Sequence, residues 1–420
     1  MNLLEVHIWD TLVGVLVWDE NKQTSRFEYA KTFVKKEWEL SPIILPVSSK
    51  VVAAQETNEG NSYQIDINKG LPLFLSDSLP DKFGTELFSK YLEKEGRNYR
   101  DLSPLEKLAY IGTRGMGAME FLPTKHNSSG RQLLDLKKLN ELSASLITQT
   151  PISNLDDMTN LFHVGTSPGG AQPKVLINID KETGDIYRGD EIPNENQESW
   201  ILKFNRDIGE QRDKERGKIE YVYYLIAKAC GINIMESRLM TVGNEACFMT
   251  KRFDRVKGEK IHTQTLHAFA GMNFKLPNAY SYEQIFRLLN QMKFDYQDKE
   301  ELFRIMVFNV IGQNVDDHTK NFGFNMTADG NWHFSPAYDL TFSYNENYNR
   351  VTPHFLSVNG KNENIELADL VEVGNQYSIK KPKRIIQEIQ TEFGTWNELG
   401  KEVGITKSTI EFVGNKFLKF

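Results

Sequence analysis

Cysteine is almost missing: the 420 residues include two, Cys230 and Cys247. Two thiols cannot staple a disulfide scaffold or build a thiolate metal cage. Both lie among apolar neighbours, so both are expected to be buried and free. No apolar run approaches the roughly 18 residues that a membrane helix requires, so no span is expected. The first residues carry Glu5 and Asp10 where a secretory leader has a basic stretch and an apolar block, so no leader is expected. A basic excess is lacking too: a formal charge of −7 argues against general affinity for nucleic acid. Internal repeats and low-complexity tracts are absent. What remains is ordinary globular composition, 40% hydrophobic and 25% charged, with material for two or three packed units. A reducing, cytoplasmic setting fits best.

Chemistry is concentrated late in the chain. Asn314-Val315-Asp316-Asp317-His318-Thr319-Lys320-Asn321 holds two carboxylates, an imidazole, an ammonium and two carboxamides. The apolar run Leu302 to Ile311 before it reads as a buried helix closed by Gly312, and Phe322 and Phe324 return the chain to the core. Asp339 follows one more short strand, Trp332-His333-Phe334, and a turn. Phosphoryl transfer uses such a set: one carboxylate takes or orients the proton of the attacking hydroxyl, while an amide and a second carboxylate hold magnesium against the phosphates. Protein kinases space the base and the metal-binding Asn as D-x-x-x-x-N, and Asp316 and Asn321 keep that spacing. The alternative is a polar loop whose Asp and Asn side chains satisfy turn backbone.

Upstream, residues 6–38 alternate as a small β-meander with a turn at Asp19-Glu20-Asn21. Helices are expected around Leu87 to Leu92, after the capping box Ser103-Pro104-Leu105-Glu106, and over 131–147. Then Gly169-Gly170-Ala171-Gln172-Pro173-Lys174 precedes an apolar strand, Val175 to Ile179. Adjacent glycines let backbone N–H groups approach phosphate oxygens, although a plain hairpin turn suits the stretch equally. Thr166 and Ser167 would lie beside the phosphates as candidate phosphorylation targets. Residues 186–198 read as a polar loop. Trp200-Ile201-Leu202-Lys203-Phe204 is a strand with one lysine among apolar residues, costly unless it snorkels or meets an anion. In kinases that lysine binds phosphates and pairs with a helix glutamate, and Glu220, on a helix expected over Lys214 to Ala229, is better placed than Glu215. Lys251-Arg252-Phe253 follows the strand Ala246 to Thr250 and is the candidate link whose backbone meets adenine; its alternative is a charged strand end. Ser281-Tyr282-Glu283-Gln284 caps a helix reaching Met292, residues 300–311 form the core helix, and 365–420 read as several helices. The basic cluster Lys380 to Arg384 reads as a solvated face.

The order of these pieces resembles one family, the HipA-like serine/threonine kinase toxins of bacterial type II toxin–antitoxin systems. Ser167 to Lys174 is similar to that family's S-x-x-G-A-Q-x-K loop, and Lys251 to Arg255 to its x-R-F-D-R link. Asp316 to Asn321 resembles its D-x-H-x-K-N loop, and Tyr338-Asp339 its metal-site Y-D. The resemblance covers the whole chain and implies an α+β, two-lobed protein-kinase-like fold. Its divisions would be a β-rich subdomain over 1–112, an N-lobe with the glycine-rich loop over 113–253, and a helical C-lobe over 254–420. It implies ATP and Mg²⁺ as cofactors, Asp316 as base, and Asn321 and Asp339 as metal ligands. Lys203, His318, Lys320, Tyr338 and the stretches 169–174 and 251–253 would then line the nucleotide site, and Ser167 would be an autophosphorylated residue. Implied partners are a protein substrate such as an aminoacyl-tRNA synthetase and a helix-turn-helix, HipB-like antitoxin that carries operator DNA. A small-molecule kinase and a non-catalytic co-repressor are the competing readings.

Overall fold

A computed structural model describes residues 1–36, 38–53, 68–125, 132–148, 150, 155–166, 169–206, 209–344 and 353–420. Period-two alternation builds the first sheet. Leu3–Ile8, Thr11–Asp19 and Thr24–Tyr29 form an antiparallel meander, with Val51–Ala53 at one edge and Met119–Leu122 at the other. The expected turn forms as the Asp19 carboxylate accepts the Asn21 and Lys22 N–H groups, both at 3.1 Å. The inward residues Leu4, Val6, Ile8, Val13 and Leu16 pack with Phe74, Leu105 and Leu108 from the helices that follow. Because Met119–Leu122 pairs with Leu3–Ile8, residues beyond 112 complete this sheet.

The second sheet has five antiparallel strands in the order Ile186–Arg188, Lys174–Asp180, Gln197–Lys203, Glu245–Lys251, Ser237–Val242. Helices Leu136–Thr148 and Leu155–Gly165 share a core with it through Leu139, Leu161, Val175, Ile177, Trp200 and Leu202. The expected polar loop at 186–198 is therefore partly wrong. Residues 186–188 and 197–198 are strand because both pair with Lys174–Asp180, and Asn178 holds the loop between them by donating to the carbonyls of Arg188 and Glu191, each at 3.1 Å. The helix expected over 214–229 is broken at Glu215 into Gln211–Lys214 and Arg216–Ala229. Glu215 leaves helical geometry and its carboxylate accepts the N–H and hydroxyl of Thr406, at 2.9 and 3.0 Å, which fastens the break to the C-terminal helices.

The helical lobe is built around Tyr296–Ile311, whose residues from Leu302 onward are buried apart from Arg304. Packed on it are Tyr282–Gln291, with both bonds of its capping box formed, Leu367–Gln376 and Pro382–Phe393, while Trp396–Glu402 packs on Arg216–Ala229. Gly312 follows the central helix as expected, but it is Gln313 that turns left-handed, at φ 53°. Glycine is needed at 312 for closeness instead: a Cβ there would lie 2.4 Å from the Phe393 ring. A three-stranded sheet, His262–Thr265, Gly323–Met326 and Trp332–Phe334, holds the segment leaving the polar loop. Cys230 and Cys247 are buried free thiols, pushed by burial up to about 12. Among the described residues no helix is long and apolar enough to cross a membrane.

Candidate active site

Lys203 ends the strand Gln197–Lys203 and is buried. A buried ammonium needs anions, and it has two. Its Nζ lies 2.6 Å from Glu220 Oε1 on the helix Arg216–Ala229, and it also contacts the Asp339 carboxylate from the helical lobe. Burial would discharge the lysine, but Asp339 and Glu220 together hold it protonated well above the usual range. The two acids respond in opposite directions. Burial dominates at Glu220 and lifts its carboxyl, whereas at Asp339 the ammoniums of Lys203 and Lys174 overcome burial and keep it low. Of the two acids Asp339 is the more exposed, its side chain 36% accessible against 6% for Glu220. The Asp339 backbone is left-handed, φ 54°, an uncommon conformation for a residue with a side chain and one frequent at functional sites.

The polar loop 314–321 reaches the same place through a chain of hydrogen bonds. Asn314 donates to Asn309 Oδ1 at 2.9 Å and to the Asp339 carbonyl at 3.3 Å, and it accepts the Ser343 hydroxyl at 3.2 Å. Ser343 Oγ in turn accepts the Asp316 N–H at 3.0 Å, and Asn321 Nδ2 donates to the Asp316 carbonyl at 2.7 Å. Asp316, Asn321 and Asp339 are thus tied into one network. The Asp316 side chain is 59% exposed. Surrounding protein raises its carboxyl, an effect opposed by His318 and reinforced by Asp339. His318 Nδ1 lies 3.2 Å from the Lys320 N–H, and Nε2 lies 3.9 Å from Asp316 Oδ1. Tyr338 is anchored by its hydroxyl to the Lys320 carbonyl at 2.9 Å.

Asp317, next to Asp316 in sequence, points the other way. It is fully buried and accepts from the Tyr282 hydroxyl at 2.8 Å, the Phe355 N–H at 2.8 Å and the Leu356 N–H at 3.4 Å, with His354 Nδ1 at 3.0 Å. Its charge is consumed in holding segment 354–356, so it belongs to the scaffold of the loop. Lys320 donates to Asp81 Oδ1 at 2.6 Å, a partner more than two hundred residues away that the spacing of the loop gave no sign of.

In the glycine-rich loop, Gly170 takes φ 97° and its N–H donates to Asp81 Oδ2 at 3.0 Å. Lys174 pairs with Lys203 across the sheet and folds back onto the Gly169 carbonyl at 2.6 Å. Gln172 Nε2 donates to the Phe204 carbonyl at 3.0 Å, the Phe204 N–H meets the Pro173 carbonyl at 2.9 Å, and Arg206 holds the Ala171 carbonyl. Ser167, with its expected modification, lies outside the described residues, as does Pro168. Thr166 does not fit the part expected of it: it is fully buried and its hydroxyl is bonded to the Phe162 carbonyl.

In the link 251–253 two backbone donors are already engaged. The Lys251 N–H donates to Glu236 and the Arg252 N–H to Ser199, each at 2.9 Å, so neither is left for a purine edge. The Arg252 guanidinium is buried on Asp254 at 2.8 Å and on the Gly189 carbonyl at 3.0 Å, and Lys251 Nζ meets Glu198 at 2.6 Å. Phe253 packs near Tyr338, ring centroids 5.8 Å apart. R-F-D-R is therefore first a buried ion network, with Asp254 between Arg252 and Arg255.

A five-stranded lobe with a strand lysine paired to a helix glutamate, set over a helical lobe whose loop carries D-x-x-x-x-N, defines an α+β protein of the two-lobed, protein-kinase-like class. The chain belongs to the HipA family. The family model of the HipA N-terminal domain matches residues 4–122, and that of the HipA-like C-terminal domain matches residues 166–396. The serine/threonine-protein kinase toxin HipA of Shewanella oneidensis MR-1 is 23% identical over 364 residues, 80% of this chain and 74% of that protein. A solved complex of the Shewanella oneidensis MR-1 toxin–antitoxin proteins HipA and HipB with operator DNA matches with a TM-score of 0.66. That match has 18% identity and covers 98% of this chain and 94% of the other. The resemblance read from the motifs, and the fold it implied, are borne out.

Proposed function

We propose that this chain is an ATP- and magnesium-dependent serine/threonine-protein kinase that acts as the toxin of a type II toxin–antitoxin pair. The observation that carries the reading is the single network joining Asp316, Asn321 and Asp339 opposite the Lys203–Glu220 pair. Asp316 Oδ would take the proton of an acceptor hydroxyl, its carboxylate being exposed. His318 Nε2 lies near that carboxylate and would hold its charge in place. Lys203 and Lys174 would bind the phosphates, and the backbone of Gly169 to Pro173 would cover them. Tyr338 would fix the catalytic loop, and Phe253 would line the base.

The donor set suits magnesium. Asn321 spends its amide N–H on Asp316 and keeps Oδ1, and Asp339 supplies a carboxylate held ionised. Mg²⁺ takes one or two protein oxygens and completes its shell with phosphate and water. When bound it would neutralise charge on the transferring phosphoryl group. Lys203 now bridges Asp339 and Glu220, so the ammonium is already stationed between the expected metal ligand and its helix partner.

By family, the acceptor would be a translation-related protein such as an aminoacyl-tRNA synthetase, with Ser167 as the autophosphorylation site. The partner would be a HipB-like helix-turn-helix antitoxin that links the toxin to operator DNA in the cytoplasm, as the related complex of HipA, HipB and operator DNA suggests. Purified protein given labelled ATP and Mg²⁺ is expected to label itself, with phosphosite mapping finding Ser167. The rate should fall by about 10²–10⁴-fold in Asp316→Asn, the usual worth of a general base. Equal labelling of wild type and Asp316→Asn would refute the assignment.

A further inference from the structure

Asp81 sits at the start of the helix Lys82–Lys94, in the position where an Asp side chain ordinarily caps its own helix. Here it makes no such bond. Its carboxylate is turned out of the first module toward the cleft, with Oδ2 accepting the Gly170 N–H at 3.0 Å and Oδ1 accepting from Lys320 Nζ at 2.6 Å. One side chain from the N-terminal module thus joins the glycine-rich loop of one lobe to the catalytic loop of the other. The contact is largely shielded, Lys320 and Asp81 being 14% and 24% exposed, and charge-assisted bonds in such places are the strong ones.

Three further observations show that the neighbourhood is shaped around this contact. A Cβ on Gly169 would lie 2.9 Å from Asp81 Oδ2, so the first glycine of the pair admits the carboxylate. A Cβ on Gly84 would lie 2.6 Å from the Thr166 carbonyl, so the helix can press on the root of the loop. The Phe83 N–H also reaches the Gly170 carbonyl, at 3.4 Å. Burial alone would raise the Asp81 carboxyl, yet Lys320 and the Gly170 N–H hold it below the usual range, so the contact is an ion pair.

The geometry points to Asp81 as a positioning residue of the nucleotide site: it clamps the glycine-rich loop to Lys320 and so keeps the loop over the bound triphosphate. This rests on the reading of that loop as the nucleotide cover. The N-terminal module then takes part in nucleotide retention, in addition to packing. The clamp is separable from helix capping, because Asp81 does not cap Lys82–Lys94.

The test compares full-length wild type, Asp81→Asn and Asp81→Ala by amide hydrogen exchange and by calorimetric titration with MgATP. Asp81→Ala is expected to speed exchange of the Gly169 to Gln172 amides roughly tenfold, the scale of one charge-assisted hydrogen bond. Asp81→Asn keeps an acceptor for Gly170 and should show a smaller increase. Amides of Lys82–Lys94 should change by less than about twofold, and MgATP should bind Asp81→Ala roughly tenfold more weakly. Loop exchange that is unchanged, or raised equally along Lys82–Lys94, overturns the clamp. So does MgATP binding as tightly or more tightly in Asp81→Ala, which would make the carboxylate a competitor of the nucleotide. Should wild type bind no MgATP, the kinase reading fails, and the exchange data alone decide the clamp.

Discussion

The adjacent carboxylates of Asp316 and Asp317 have opposite surroundings. Asp316 is exposed and its carboxyl is raised by the protein around it, while His318 works against that rise. A general base must be ionised, so activity is lost as pH falls through its pKa. The acid limb of kcat/KM against pH is therefore expected above the roughly 3.9 of a free aspartate. His318→Ala should move that limb further up, and a limb that stays or moves down would contradict the pairing. Asp317 has no such part. Removing its carboxylate strands a buried hydroxyl and two backbone N–H groups, so Asp317→Ala should cost about 3–5 kcal/mol in urea unfolding, with Asp317→Asn milder. The spacing of Asp316 and Asn321 was legible because both lie in one loop. The fate of Asp317 was not, since its donors come from residues 282 and 354–356. Nor was the partner of Lys320, which the fold brings from residue 81.

Elements were legible where one local rule decided them. The capping boxes at Ser103 and Ser281 formed as written, because both partners of each bond lie within four residues. Breaks set by distant partners were invisible: the helix over 211–229 divides because Glu215 answers to Thr406, and Gly312 is required by Phe393. The central helix carries one more consequence. Glu301 accepts the Asn233 N–H at 2.8 Å, and burial raises its carboxyl from the ordinary 4.5 to about 7. The folded state then binds more protons than the unfolded one between those values, so stability falls as pH rises from about 4.5 to about 7. Glu301→Gln keeps an acceptor and removes the titration. It should melt higher than wild type at pH 8 and no higher at pH 5; equal gains at both would contradict the linkage.

In the molecule as a whole, the first sheet is welded to the rest. Arg255 donates to the carbonyls of Gly115 and Gly117, the Gly117 N–H donates to Asp254 at 2.7 Å, and Trp9 Nε1 donates to the Lys260 carbonyl at 2.7 Å. Asp77 accepts the Thr265 N–H at 2.8 Å, and Trp332 Nε1 donates to the Glu39 carbonyl at 2.7 Å. At the centre Asp254 is fully buried, and burial, which would raise it, is outweighed by Arg252 and Arg255, so it stays far below the usual carboxylate range. Its folded pKa is depressed, so its stabilisation is present above about 3.9 and is lost as pH falls below that. Asp254→Asn should therefore be destabilised by a constant margin from pH 7 to pH 5, and by a shrinking margin below pH 4, in thermal melts. Everything in this account converges on one metal–triphosphate pocket between the lobes, and a crystal structure with Mg²⁺ and a non-hydrolysable ATP analogue tests it most directly. Asn321 Oδ1 and an Asp339 carboxylate oxygen are expected on the metal at about 2.0–2.1 Å, with Lys203 on the phosphates. Nucleotide bound elsewhere, or a metal that ignores both side chains, would contradict it.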